Sequence, residues 1–257
     1  MNQPSMHMTV PKNEVGRDFV IGDIHANKER FDDALASVTF DKENDRLFCV
    51  GDLIDRGEEP LEILAHLNEP WFFSIIGNHE QLIFDRFELP ISGGIYGSFT
   101  KTRRDAVKLH KGNGGDWFCE LTDAKQQEIY LSLKQLPFAI TLVTELGDIG
   151  LVHAEVPEEF YSWLHFIDAL QEDEQVRKNA IWRREAISEF YDMVRLERWK
   201  DSQVDYSWVE DVELTVHGHT GVHEAVCHGN QIWIDTGHVT KELTIIEVSK
   251  LFELVEK

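Results

Sequence analysis

Three times in the first eighty residues a short apolar run ends in glycine and is followed at once by Asp or Asn. DFVIG (18–22) leads into Asp23, RLFCVG (46–51) into Asp52, and WFFSIIG (71–77) into Asn78. Between the runs lie stretches with helical spacing. Residues 27–38 set Phe31, Leu35 and Val38 on one face, and 60–67 opens on a proline, which a helix tolerates at its first position. A further helix is expected at 80–87. Strand–helix–strand–helix–strand implies parallel pairing with right-handed crossovers. In such sheets ligands bind beyond the carboxyl ends of the strands. The polar residue after each glycine therefore stands where an α/β sheet builds its site.

The rest of the chain is less regular. Residues 89–116 contain Gly93, Gly94, Gly97, Gly112, Gly114 and Gly115, so they are expected to be loop-rich with little regular structure. They carry neither a Walker pattern nor a dinucleotide fingerprint. A helix is expected at 123–135, then a strand pair at 138–145 and 149–152 turning at Gly147 and Asp148. Residues 158–208, charged and aromatic-rich, read as mostly helical. The end returns to strands at 213–216, 222–226, 231–235 and 243–248. With no repeat or linker, the 257 residues are expected to form one α/β domain, with residues 1–16 as a flexible N-terminal arm.

Composition narrows the functional classes. No segment is apolar for long enough to span a bilayer, and the N-terminus lacks the apolar run of a signal peptide, so a cytoplasmic location is expected. Cys49, Cys119 and Cys227 are odd in number and far apart, which suits small core residues better than a disulfide framework. With 47 acidic and 25 basic residues the net charge is −22, which argues against nucleic acid or an anionic membrane as partner. Arginine beside a catalytic loop is correspondingly valuable.

Six short segments carry the chemistry: GDIHA (22–26), GDLIDRG (51–57), GNHE (77–80), LVHAE (151–155), WRRE (182–185) and HGHT (217–220). Their Asp, Asn and His side chains are the ligands that suit two neighbouring divalent metals. Asp23 and His25, two apart on a post-strand turn, can face one ion. Asp52 offers a carboxylate able to bridge two, and Arg56 a planar fork for phosphate oxygens. Asn78 adds a neutral oxygen, with His79 beside it. Each has a plain alternative: a turn Asp, a surface ion pair, an Asn in a tight turn. His153 alone reads more readily as a satisfied core histidine. In HGHT, His219 past the strand end is the expected ligand, while His217 ends the strand and packs. His223 and His228 are expected to have no chemical role. Arg184 alone is an ordinary surface charge.

Taken in order, these segments resemble the phosphoprotein phosphatase branch of the calcineurin-like metallophosphoesterases, and most of all its small bacterial and bacteriophage lambda-type serine/threonine phosphatases. The likeness extends to NGGDWF (113–118), HAEVP (153–157), IWRRE (181–185) and NQIWIDTG (230–237), and so covers about residues 18 to 248. It implies a β-sandwich of two mixed sheets flanked by helices. It also implies one metal on Asp23, His25 and bridging Asp52, and a second on Asp52, Asn78, His153 and His219. A hydroxide bridging the two would attack phosphorus directly, with no phosphoenzyme. His79 would protonate the leaving group, oriented by Asp55, while Arg56, Arg184 and Asn78 would hold the phosphate. The metals implied are Mn²⁺, with Fe or Zn as alternatives. The substrates implied are phosphoserine and phosphothreonine in proteins or peptides, extending to phosphotyrosine. Symmetrical hydrolysis of dinucleoside tetraphosphates is the rival reading, and a metal-binding scaffold without catalysis a third. Ala26 stands where the family usually has Gly. If that position needs positive φ, the cost is about 1 kcal/mol.

Overall fold

The computed structural model describes residues 5–90, 102–196 and 208–255. The first third runs β1 (His7–Val10), β2 (Asp18–Ile21), α1 (Lys28–Ser37), β3 (Arg46–Cys49), α2 (Pro60–Ala65), β4 (Phe72–Ser74) and α3 (Asn78–Glu88). Next come α4 (Arg103–Gly112), α5 (Asp116–Glu120), α6 (Asp123–Leu133) and the hairpin of β5 (Ala139–Thr144) and β6 (Gly147–Val152). Three helices follow: α7 (Trp163–Glu172), α8 (Glu174–Trp182) and α9 (Glu185–Leu196). The chain ends with β7 (Leu214–His217), β8 (Val226–His228), β9 (Gln231–Trp233), α10 (Gly237–Thr240), β10 (Ile245–Glu247) and α11 (Val248–Val255).

The strands form two mixed sheets, ordered β1-β5-β6-β7-β9-β8 and β10-β2-β3-β4. Within the smaller sheet β2, β3 and β4 pair in parallel, as their helical crossovers require, and β10 closes one edge antiparallel. Side chains alternate across a strand, so each strand feeds two cores. Phe19 and Ile21 of β2 and Leu47 and Cys49 of β3 join a cluster with the buried helix faces, including Phe31 and Ile83. Val20 and Phe48 point the other way, meeting Ile140, Leu142, Ile149, Leu151, Leu214 and Val216 of the larger sheet. The expected sandwich of two mixed sheets flanked by helices is what forms.

The expectations fail in several places. Residues 7–10 are not a flexible arm but the edge strand β1, in parallel register with Ala139–Leu142. Residues 103–112 are helical rather than loop. Thr102 caps that helix by accepting from the Asp105 N–H, and its buried face amounts to Ala106 and His110, too little apolar pattern to read. Residues 91–101 of the same region, and 197–207 of the expected helical segment, lie outside the described residues. The β5–β6 hairpin turns at Glu145–Leu146, because Gly147 already pairs with Thr144. Val222 is in a loop, its N–H donating to the Asp235 carbonyl, and the strand begins only at Val226. Among the described residues no helix is long and apolar enough to cross a membrane.

Candidate metal and phosphate site

The carboxyl ends of β2, β3 and β4 and the ends of β6 and β7 converge on one point, because the two sheets face each other there. Asp23 and His25 follow β2, Asp52 follows β3, Asn78 opens α3 just past β4, His153 follows β6 and His219 follows β7. Asp23, Asp52, Asn78, His153 and His219 are buried, and His25 is partly exposed. All six residues expected as ligands are brought together.

The ring nitrogens decide what this cluster can bind. His153 Nδ1 lies 2.7 Å from the Val50 carbonyl oxygen, His25 Nδ1 3.1 Å from that of Ile54, and His219 Nε2 3.2 Å from that of Trp182. A carbonyl only accepts, so each ring places its proton there and presents a lone pair at the other nitrogen. At His153 and His219 that lone pair faces other acceptors, while at His25 it also takes an Arg56 N–H at 2.8 Å. His153 Nε2 is 3.0 Å from Asn78 Oδ1 and 3.4 Å from Asp52 Oδ1. His219 Nδ1 is 2.8 Å from Asn78 Oδ1. His25 Nε2 is 3.7 Å from Asp52 Oδ2 and 4.0 Å from Asp23 Oδ2. Convergent lone pairs call for cations. Two carboxylate–histidine groupings among the described residues, Asp23–Asp52–His153 and His25–Asp52–His79, fit that need. His217 is different. Its Nδ1 donates to the Val152 carbonyl and its Nε2 pairs with Thr215 Oγ1, so neither nitrogen is left for a metal. His223 is exposed in a loop, and His228 ends β8 away from the cluster.

Charge tells the same story. Burial, then Asp235 and Asp52, push the Asp23 carboxyl well up. Burial, then Asp52, push Asp235 up to about 6, and its Oδ1 finds no hydrogen-bond partner among the described residues. Burial works against ionising Asp52, but His153, His79 and His25 together hold it below the usual carboxylate range. Burial lowers His25 to about 4 and also lowers His153 and His219, so these imidazoles are neutral and ready to ligate. Surplus buried carboxylate beside neutral imidazole is what a divalent ion resolves.

Around the cluster stand the residues expected to handle phosphate. His79 Nδ1 is 2.7 Å from Asp55 Oδ2, both fully buried. Burial opposes a charge on His79, but Asp52 and the Asp55 hydrogen bond outweigh it and raise its pKa. Arg56 donates to His25 Nε2 at 2.8 Å and His79 Nε2 at 3.1 Å. Arg184 donates to the His219 carbonyl at 3.1 Å. Its neighbour Arg183 is enclosed by Glu155, Glu158, Glu159 and Glu185, which leaves Arg184 as the arginine facing the site.

A family model for the calcineurin-like phosphoesterases matches residues 19–235. The chain belongs to that family. Members are hydrolases of phosphoesters that use divalent metal ions. Among curated relatives, serine/threonine-protein phosphatase 2 of Salmonella typhimurium is 30% identical over 222 residues, 85% of this chain and 86% of that protein. A symmetrical bis(5'-nucleosyl)-tetraphosphatase of Hamiltonella defensa is 37% identical, but over 65 residues, 24% of each chain. Among solved structures, one described as a putative diadenosine tetraphosphatase matches with a TM-score of 0.58 at 19% identity, covering 94% of this chain and 96% of that one, which speaks for the fold alone.

Four residues here escaped the sequence reading. Glu80 accepts the N–H groups of Asp52, Leu53 and Gly77 at 2.8–3.0 Å, tying the second and third loops together. Burial, then Asp52, push it up to about 8. Asp235 was visible as the acid ending the IWID run, by the same strand-then-Asp signal used earlier. His110 and Trp117 both reach Asp55 from more than fifty positions away in the chain, and no local pattern announces them.

Proposed function

We propose that this chain is a dimetal-dependent phosphomonoesterase acting on phosphoserine and phosphothreonine in proteins or peptides, with phosphotyrosine as a further substrate. The observation that carries the reading is the His79–Asp55 pair, buried at 2.7 Å and flanked by the Arg56 fork. A bare metal scaffold has no need of a held proton donor. Asp23, His25 and Asp52 would hold one ion, and Asp52, Asn78, His153 and His219 the other; these donors suit Mn²⁺, Fe or Zn, and the family likeness favours Mn²⁺. When bound, such ions supply Lewis acidity toward the phosphoryl oxygens and activate water at neutral pH.

The chain's own residues do the rest. Arg56, beside His25, and Arg184, beside His219, hold the phosphoryl oxygens, with Asn78 adding a polar contact. Arg56 now donates to His79 Nε2, so that nitrogen is an acceptor. When Arg56 turns to phosphate it frees this position, and His79, charged through Asp52 and Asp55, presents an Nε2–H to the leaving oxygen. Asp55 fixes the imidazole's tautomer and favours the charged form. Relatives named as serine/threonine phosphatases over 85% of the chain support the phosphoprotein reading. Likeness to symmetrical bis(5'-nucleosyl)-tetraphosphatases, over 24% of the chain in one relative and 55% in another, favours the dinucleoside tetraphosphate reading. One assay separates them: Mn²⁺-loaded protein on a phosphopeptide panel and on diadenosine tetraphosphate, with EDTA as control. Faster peptide hydrolysis is expected, and preference for the dinucleotide overturns the substrate assignment.

A further inference from the structure

Asp55 is held by more than its histidine. Its Oδ1 accepts from Trp117 Nε1 at 2.7 Å and His110 Nε2 at 3.0 Å, and its Oδ2 from His79 Nδ1 at 2.7 Å and again from His110 at 3.0 Å. His110 is completely buried at the end of α4. Arg86 Nη1 lies 3.1 Å from His110 Nδ1, and since a guanidinium only donates, the His110 proton sits on Nε2, facing Asp55. His110 is therefore a fixed donor to the carboxylate. Arg86 is itself set by the Phe118 ring, 4.8 Å away, and by Cys119 Sγ at 3.2 Å.

The glycines of NGGDWF complete this contact. A methyl on Gly115 would come within 2.1 Å of the His110 ring. One on Gly114, which has φ +94°, would come within 2.5 Å of the Arg56 amide nitrogen. Asp55 and Arg56 hold φ of 70° and 66°, so the turn carrying both is strained and is pressed from one side by residues 114–117.

We propose that His110, Trp117 and the Gly114–Gly115 pair form a positioning clamp on the Asp55–Arg56 turn, acting through Asp55 on the aim of the His79 proton donor. The proposal rests on the phosphomonoesterase reading of the site. Without His110 and Trp117, Asp55 loses the donors that fix its plane, and His79 loses its fixed direction toward the leaving oxygen. The loss falls on the step that needs a proton. A serine alkoxide needs that proton to depart, whereas p-nitrophenolate leaves without one.

The test uses the full chain loaded with Mn²⁺, comparing a phosphoserine peptide with p-nitrophenyl phosphate in His110→Leu, His110→Gln and Trp117→Phe, each checked for folding by circular dichroism. For His110→Leu and Trp117→Phe the peptide kcat should fall about 10- to 100-fold with KM little changed. The loss on p-nitrophenyl phosphate should be several-fold smaller. His110→Gln, whose amide can donate from the place of Nε2, should recover most of the peptide rate, although Leu fills the apolar volume better. Equal losses on the two substrates, or Gln no better than Leu, overturn the clamp. If the Leu variant does not fold, Trp117→Phe carries the same two-substrate comparison. Wild-type protein that cleaves neither monoester overturns the phosphomonoesterase reading instead, and the clamp with it.

Discussion

His25, Ala26, Asp52, Asp55, Arg56 and His219 hold φ between 47° and 70°, a region where a Cβ costs of order 1–2 kcal/mol per residue. The strain collects in the loops that aim ligands and phosphate contacts, and Glu80 helps sustain it by binding three loop amides. Ala26, at φ 53° and fully buried, meets the condition under which alanine in a glycine position carries a cost. Two effects oppose each other there. Ala26→Gly relieves about 1 kcal/mol of backbone strain, but loses about 0.8 kcal/mol of methyl burial and frees the unfolded chain. Urea denaturation should show a net change smaller than about 1 kcal/mol. A loss of about 3 kcal/mol would mean that the methyl is packed more tightly than its burial implies. His79→Asn should behave otherwise. The amide nitrogen can keep the Asp55 contact while the proton donor is gone, so kcat should fall about 10²- to 10⁴-fold. Metal content by elemental analysis should be unchanged, because the proposed ligands remain. An unaltered kcat would remove His79 from the mechanism. The candidate ligands were legible because each lies within four residues of a strand end, though His153 read as a core histidine until the family likeness lifted it. His110 and Trp117 were not, because what they bind is set by how α4 and α5 fold back.

Elements were legible where periodicity was strong. β2, β3 and β4 alternate between two cores, so their existence showed in the sequence, but they end at Ile21, Cys49 and Ser74, before the glycines expected to close them. α11 did not show. Its first residue, Val248, was taken as the end of a strand, and the chain after it carried no cap or turn signal. Yet Val248 and Leu251 are buried in the sandwich interior with Val20 and Phe48. α11 therefore closes one end of that core from a place remote from the ligands. Leu251→Ala should cost about 2–5 kcal/mol, the range for a fully buried leucine whose cavity relaxes incompletely. The folded enzyme should keep its kcat, since α11 packs on β2, β8 and β10. Thermal melts and initial rates below the transition check both. A lowered kcat with unchanged stability would show that the helix acts on the site and not on the core. β1 was missed for a related reason: two of its four residues are exposed, so no alternation betrays an edge strand.

At the scale of the whole molecule, the buried charges make stability depend on pH in a way that metal should erase. Consider the window from about pH 7.5 to 8.5 in metal-free protein. The unfolded chain has by then released its carboxyl protons and most of its histidine protons. The folded chain retains more. Burial pushes Glu155 up to about 7, and burial and Asp52 push Glu80 up to about 8. The folded state therefore binds more protons, and stability must fall as pH rises, by up to about 1.4 kcal/mol per unit for each retained proton. Below about pH 7.5 the histidines act with the opposite sign. Burial lowers His25 to about 4 and His217 to about 3, and lowers His153 and His219 as well, so acid charges them only on unfolding. The raised carboxyls Asp23 and Asp235 oppose this trend, which leaves the upper window as the clean one. A divalent ion beside Asp52 favours ionised Glu80 by its charge, so Mn²⁺ should stabilise more at pH 8.5 than at 7.5 and flatten the slope. Urea titrations of EDTA-stripped protein at three pH values across the window, with and without Mn²⁺, measure this. A metal-free stability that is flat or rises with pH would mean that Glu80 and Glu155 are ionised in the folded state without any cation to hold them.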